Sequence, residues 1–210
     1  MHDKCTQALS RVYVATSNPG KIRDFKGAVR NLGVAVEPLP GLIGAPQAVE
    51  DGATFEDNAR IKAEHYSRYS PGELVLADDS GLAVDALNGA PGVHSARYAE
   101  SRRQGNSADE DNNRLLIAQL EGLPLDRRSG KFVCVLAAAR DGVTLQVFHG
   151  EVHGQLLAVP RGSQGFGYDP LFYFPELGKT FAEITAEEKA RYSHRGQAFR
   201  RFLDWYGARA

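Results

Sequence analysis

The feature that most constrains this chain is a change of period near its start. Arg11 to Thr16 (RVYVAT) alternates like a half-buried strand, Ser17-Asn18-Pro19-Gly20 stops the alternation, and Ile22, Phe25, Val29 and Leu32 then recur at helical spacing from Lys21 on. A strand, a tight loop and a helix in that order begin an α/β unit. Val34 to Leu39 reads as a second strand, and the Pro/Gly-rich stretch from Pro38 to Gly52 as a loop rather than a linker between domains. Thr54 opens a helix expected to run to Tyr69, with Asp57 forming an imperfect capping box because Asp is shorter than the usual Glu. Glu73 to Ala77 is a short buried-type strand ending at Asp78-Asp79-Ser80-Gly81, followed by Leu82 to Leu87 and the turn Gly89-Ala90-Pro91-Gly92. Ala108 to Leu120 is a third helix. From Lys131 to Val159 three strands are expected, divided by the hairpin signal Asp141-Gly142 and by the region of Gly150. Leu171 to Phe174 is a short strand, and Thr185 to Tyr206 a helix interrupted at Gly196. Alternating elements followed by clustered strands predict an α/β protein whose mixed central sheet is flanked by helices.

Composition narrows the function. The 210 residues are 42% apolar and 24% charged, the balance of a globular chain, read as a single domain over 1–210. Lys and Arg number 25 against 26 Asp and Glu, which argues against a surface built to hold nucleic-acid backbone. Cys5 and Cys134 do not make a disulfide scaffold, and Cys134 lies in an apolar run as a small buried thiol would. No run approaches the ~18 apolar residues of a membrane span. Met1-His2-Asp3-Lys4-Cys5 lacks a signal peptide's apolar stretch, so a cytoplasmic protein is expected.

Five segments carry chemistry. Thr16-Ser17-Asn18-Pro19-Gly20-Lys21 places free backbone N–H groups at a helix start, with Lys21 adding a full charge, so it can face a phosphate; without Walker spacing, a plain turn is the alternative. At about 100° per residue with Phe55 at zero, Ala59, Ala63 and Tyr66 fall near +40°, +80° and +20°, Lys62 near −20° and Asn58 near −60°. Lys62 thus points inward and needs a partner, unless it snorkels past the edge or meets a structural carboxylate. Asp78-Asp79-Ser80-Gly81 lies at a strand end, where ligands bind in open α/β sheets, and its oxygens suit Mg²⁺; Glu50 and Asp51 supply a second acidic pair, and a capped turn is the alternative. Gly165-Phe166-Gly167-Tyr168-Asp169-Pro170 holds two aromatics able to stack on a nucleobase. Lys189 and Ser193-His194-Arg195-Gly196 complete the set; His194 and Arg195 precede the apolar Ala198 and Phe199 by four residues, so both point inward.

These cations, paired acids and stacking loop match a Mg²⁺-bound nucleoside triphosphate. SNPGK, TFEDNARIKA, ADDSGLAVDALNGAPGVHSARYA, GFGYDPLF and GKTFAEITAEEKARYSHRG, in order from Val12 to Phe202, closely resemble the inosine/xanthosine triphosphate pyrophosphatase family. The resemblance implies two lobes with the active cleft between them, a homodimer, and Mg²⁺-dependent hydrolysis of ITP, dITP and XTP to monophosphate and pyrophosphate. Carried over to matching positions, Thr16, Ser17, Asn18, Pro19, Gly20 and Lys21 face phosphate, and Asp79 binds metal and accepts a proton. Ser80 contacts substrate and Lys62 the phosphates. Phe166, Gly167, Tyr168 and Asp169 hold base and sugar, while Lys189, His194 and Arg195 contact the base.

Two departures stand out: Asp24 replaces the family's usual Glu, and the loop at Glu50-Asp51-Gly52 is one residue short. Glu50 is preferred to Asp51 as second metal ligand, and the division of roles between Asp78 and Asp79 stays open. The alternatives are a pyrophosphatase for modified pyrimidine or methylated nucleotides and a non-catalytic nucleotide-binding module.

Overall fold

The computed structural model describes residues 11–30, 32–99 and 108–208. The reading of the first five residues, Cys5 included, lies outside them. The chain opens with β1 (Arg11–Val14), α1 (Pro19–Ala28), β2 (Ala35–Pro38), α2 (Phe55–Ser67) and β3 (Val75–Val84). After α3 (Asp109–Gln119) come β4 (Ser129–Arg140), β5 (Val143–Leu156), β6 (Phe172–Phe174), β7 (Lys179–Thr180), α4 (Ala186–Tyr192) and α5 (His194–Gly207). The strands form one seven-stranded sheet in the order β2-β1-β3-β4-β5-β6-β7. The first three are parallel and the rest antiparallel, so the expected mixed sheet is present.

Local chemistry accounts for the helix starts. Asn18 Oδ1 accepts from the N–H groups of Gly20 (2.8 Å) and Lys21 (3.2 Å), and Pro19 fills the first helical position, where no N–H is needed. The Thr54–Asp57 capping box closes fully despite the short acid: Thr54 N donates to Asp57 Oδ2 at 3.1 Å and Asp57 N to Thr54 Oγ1 at 3.1 Å. α1 stops at Ala28, short of Leu32, which is 56% exposed beyond turns bonded to the carbonyls of Gly27 and Val29.

Three expectations are corrected. β3 does not end before Asp78; it runs through to Val84, because β4 pairs with it along its whole length, including Asp78 with Leu136 and Asp79 with Val135. The stretch from Lys131 holds two strands, not three, and β5 continues through Gly150. That glycine instead admits a helix: a Cβ there would overlap the His194 carbonyl oxygen and meet Ala198 N at 2.8 Å. The last helix breaks at Ser193, not Gly196, because Ser193 is extended (ψ 156°) and its side chain caps α5 by accepting from Gly196 N. The hairpin at Asp141-Gly142 forms as read, both residues having positive φ (52° and 81°).

Alternation along β3 sends Leu76 to one face, into a core with Phe25 of α1 and Phe199 and Phe202 of α5. Val75 and Ala77 face the other side, where Ala59 and Ala63 let α2 lie close on Ala137 and Ala139. A third cluster, with Leu82, Phe132, Leu116, Phe172 and Phe181, fills the far end. No helix of the described residues is long and apolar enough to cross a membrane.

Candidate active site

β1 pairs with β3 only at Val75 and Leu76, and the chain then turns away into the loop that starts α1. Just past that point β3 carries Asp78 and Asp79, which as neighbours in a strand face opposite sides of the sheet. With β1 gone, a single cavity of about 600 Å³ reaches both faces and is lined by both acids.

On the face of α1 and α5, Asp78 Oδ2 takes Lys21 Nζ at 3.1 Å, Arg195 Nε at 3.4 Å and the Ser80 hydroxyl at 3.0 Å. Arg195 goes on to Asp24 Oδ2 (2.7 Å) and Ser80 Oγ (2.6 Å). Burial alone would raise the Asp78 carboxyl, but Lys21, Arg195 and Lys62 outweigh it and hold it well below the usual carboxylate range. On the face of α2, Lys62 Nζ donates to both Asp79 Oδ1 (2.8 Å) and Glu50 Oε2 (2.7 Å). Burial would lower this ammonium, yet Asp79, Asp78 and Glu50 together hold it raised. Asp79 is shifted up, chiefly by burial and further by Asp78, against the pull of Lys62 and Lys21. Asn58, absent from the sequence-based site, ties this corner together: its Oδ1 accepts from Gly52 N at 2.9 Å and its Nδ2 lies 3.5 Å from Asp79 Oδ2.

At the far end, Phe166 stands against Gly20, where a Cβ would come within 2.8 Å of the Phe166 Cγ. Lys189 Nζ and the Arg195 guanidinium lie 4.7 and 5.3 Å from the Phe166 ring centroid. Asp169 accepts from Phe166 N (2.8 Å) and Lys189 Nζ (2.6 Å), and burial shifts its carboxyl up against Lys189. His194 stacks on Phe132, with centroids 4.9 Å apart and planes at 16°. Burial, then Arg195 and Lys189, push its imidazole well below 6.5, so it is neutral at physiological pH. Buried Tyr168 packs among Leu82, Phe132 and Leu171 and donates its hydroxyl to the Ser95 carbonyl at 2.9 Å.

Thr16, Ser17, Asn18, Lys21, Glu50, Lys62, Asp79 and Ser80 line the cavity, as do Phe166, Gly167, Tyr168, Asp169, His194 and Arg195. Pro19 and Gly20 support the wall from within α1, Lys189 lies behind the Phe166 ring, and Asp51 does not line the cavity. Arg97 and Asp109, which also line it, were not singled out in the sequence because an arginine after a turn and an acid opening a helix are ordinary there.

No group of three or more His, Cys, Asp or Glu able to hold a metal occurs among the described residues. The donor set still fits Mg²⁺, which takes one or two carboxylates plus substrate phosphates and keeps several waters. Glu50 and Asp79 converge on one ammonium, and Asp78 Oδ1 is buried without a hydrogen-bond partner among the described residues.

Fold and cleft together define an α/β protein whose cavity gathers cations and carboxylates from both faces of its sheet. Residues 12–205 match the Ham1 family, and the chain belongs to that family. It is 55% identical over 196 residues to the dITP/XTP pyrophosphatase of Acidobacterium capsulatum, covering 91% of this chain and 96% of that one. To the dITP/XTP pyrophosphatase of Thermus thermophilus it is 46% identical over 197 residues, covering 93% and 91%. Among solved structures, the Ham1 protein of Staphylococcus aureus superposes with a TM-score of 0.80 at 38% identity, covering 95% of this chain and all of that one. A HAM1 protein from Coxiella burnetii gives 0.78 at 37%, covering 94% and 98%.

Proposed function

We propose that this protein hydrolyses the deaminated purine nucleoside triphosphates ITP, dITP and XTP to the monophosphate and pyrophosphate. The reading agrees with the activity named for its relatives. The observation that carries it is the position of Asp79, held with Glu50 on one ammonium in a cavity that Lys21 and Arg195 enter from the opposite face of the sheet.

Lys21, Lys62 and the N–H groups at the start of α1 bind the triphosphate. Glu50 and Asp79 would hold a Mg²⁺ ion, which would supply neutralisation of phosphate charge. Asp79 orients a water and takes its proton, whereas Asp78 is already engaged by Lys21, Arg195 and Ser80. The water attacks the α-phosphorus, the bond to the bridging oxygen breaks, and pyrophosphate leaves. Phe166 stacks on the base, Asp169 and Gly167 hold the loop beneath the sugar, and Arg195 donates to the C6 carbonyl of hypoxanthine or xanthine. Neutral His194 can donate from one ring nitrogen and accept at the other. Adenine offers an amino donor at C6 and leaves those donors unpaired, which is costly. Lys189 reaches the base only after the Phe166 ring shifts. One domain over 1–210, with two lobes flanking the cleft, works as a cytoplasmic homodimer in this reading.

Pyrophosphate released from ITP, XTP, dGTP and dATP, with and without Mg²⁺, tests the proposal. Mg²⁺-dependent release from ITP and XTP with dATP left intact is expected, and dGTP reports on discrimination at C2. Idle ITP beside rapid dUTP or methylated-nucleotide turnover would reject it.

A further inference from the structure

We propose that Asp109 and Asn113, on one face of α3, are positioning residues that set the Phe166 ring at the base end of the cleft. The inference rests on the nucleotide reading above. The ring sits in a loop with glycines at 165 and 167, both at positive φ (78° and 61°), so the backbone has no stiffness of its own there. Within the loop Asp169 accepts from Phe166 N at 2.8 Å, and a second hold comes from outside it. Gly167 N donates to Asp109 Oδ2 at 2.6 Å, and the Gly167 carbonyl accepts from Asn113 Nδ2 at 3.0 Å, so α3 grips both polar groups of the residue after the ring. The two side chains are four residues apart and therefore adjacent on the helix. α3 is itself pinned to the neighbouring wall, where Asn112 Oδ1 accepts from Ala99 N at 2.8 Å.

A second observation separates positioning from packing. Asn113 Oδ1 is buried with no hydrogen-bond partner among the described residues, while its amide nitrogen bonds the loop that carries Phe166.

The test is a double-mutant cycle read as KM and kcat for ITP, with melting temperatures. Asp109→Ala and Asn113→Ala should each raise KM about three- to tenfold, the worth of one hydrogen bond, with kcat and melting temperature nearly unchanged. Asp109→Asn should restore most of the loss, because its amide oxygen can still accept from Gly167 N. In a Phe166→Ala background neither substitution should raise KM further. Losses that add fully to that of Phe166→Ala would overturn the proposal, as would a fall in melting temperature and kcat together. Wild-type protein that leaves ITP intact would contradict the functional reading itself, and this inference with it.

Discussion

Asp78 and Asp79 are neighbours in one strand, yet they occupy different chemical worlds. Asp78 faces the α1/α5 side and is clamped by Lys21, Arg195 and Ser80. Asp79 faces α2, shares one lysine with Glu50, and is shifted upward where Asp78 is shifted downward. The pleat produces the difference, and the early departure of β1 lets both sides open into one cavity. Adjacent acids thus differ in what holds them: one carries two cations from the α1/α5 side, the other a lysine it shares with Glu50.

The sharpest way to break this contrast is Asp78→Asn. It removes the buried charge that balances Lys21 and Arg195, so stability should fall by about 3–5 kcal/mol in denaturant titrations. A variant as stable as wild type would show that Asp78 is no anchor. Next in size, Lys62→Ala should lower kcat/KM by about ten- to a hundredfold on ITP and XTP alike, consistent with the loss of a phosphate-binding charge. A loss confined to one base would place Lys62 at the wrong end.

A smaller effect concerns acid stability. The folded pKa of Asp78 lies below its unfolded value of 3.8, so its contribution is complete above that value and disappears as pH falls through the lower, folded one. Acid unfolding of Asp78→Asn should therefore have a shallower slope below pH 3.8 than wild type; parallel slopes would contradict the assignment. Smallest of all, the buried Cys134 thiol beside Asp78 is raised, mainly by burial, and should not react with a thiol reagent at mildly alkaline pH until the protein unfolds. Rapid native labelling would mean that the sheet opens beneath the anchor.

Much of this site was legible in the sequence. The helical wheel turned Lys62 inward, and the four-residue offset from Ala198 and Phe199 buried His194 and Arg195, because such periodicities are local. β3 was misread because Asp-Asp-Ser-Gly has the composition of a turn, while the ladder from β4 and the cations that neutralise Asp78 come from far along the chain. Gly150 and Gly196 looked like breaks for a similar reason. Each is a point where another backbone comes too close for a Cβ, which only tertiary structure shows. The flanking glycines read Phe166 and Tyr168 alike as rings outside the core, but Tyr168 enters it, packed in the far cluster and fixed by its hydroxyl bond to Ser95.

The most direct measurement is pyrophosphate release by Asp79→Asn at saturating ITP, taken beside its ITP affinity and melting temperature. Turnover should drop by about a hundred- to ten-thousandfold, the usual worth of a general base, with a much smaller loss of ITP affinity in a variant that still folds. Undiminished release would show that Asp79 is not the acid that performs the chemistry.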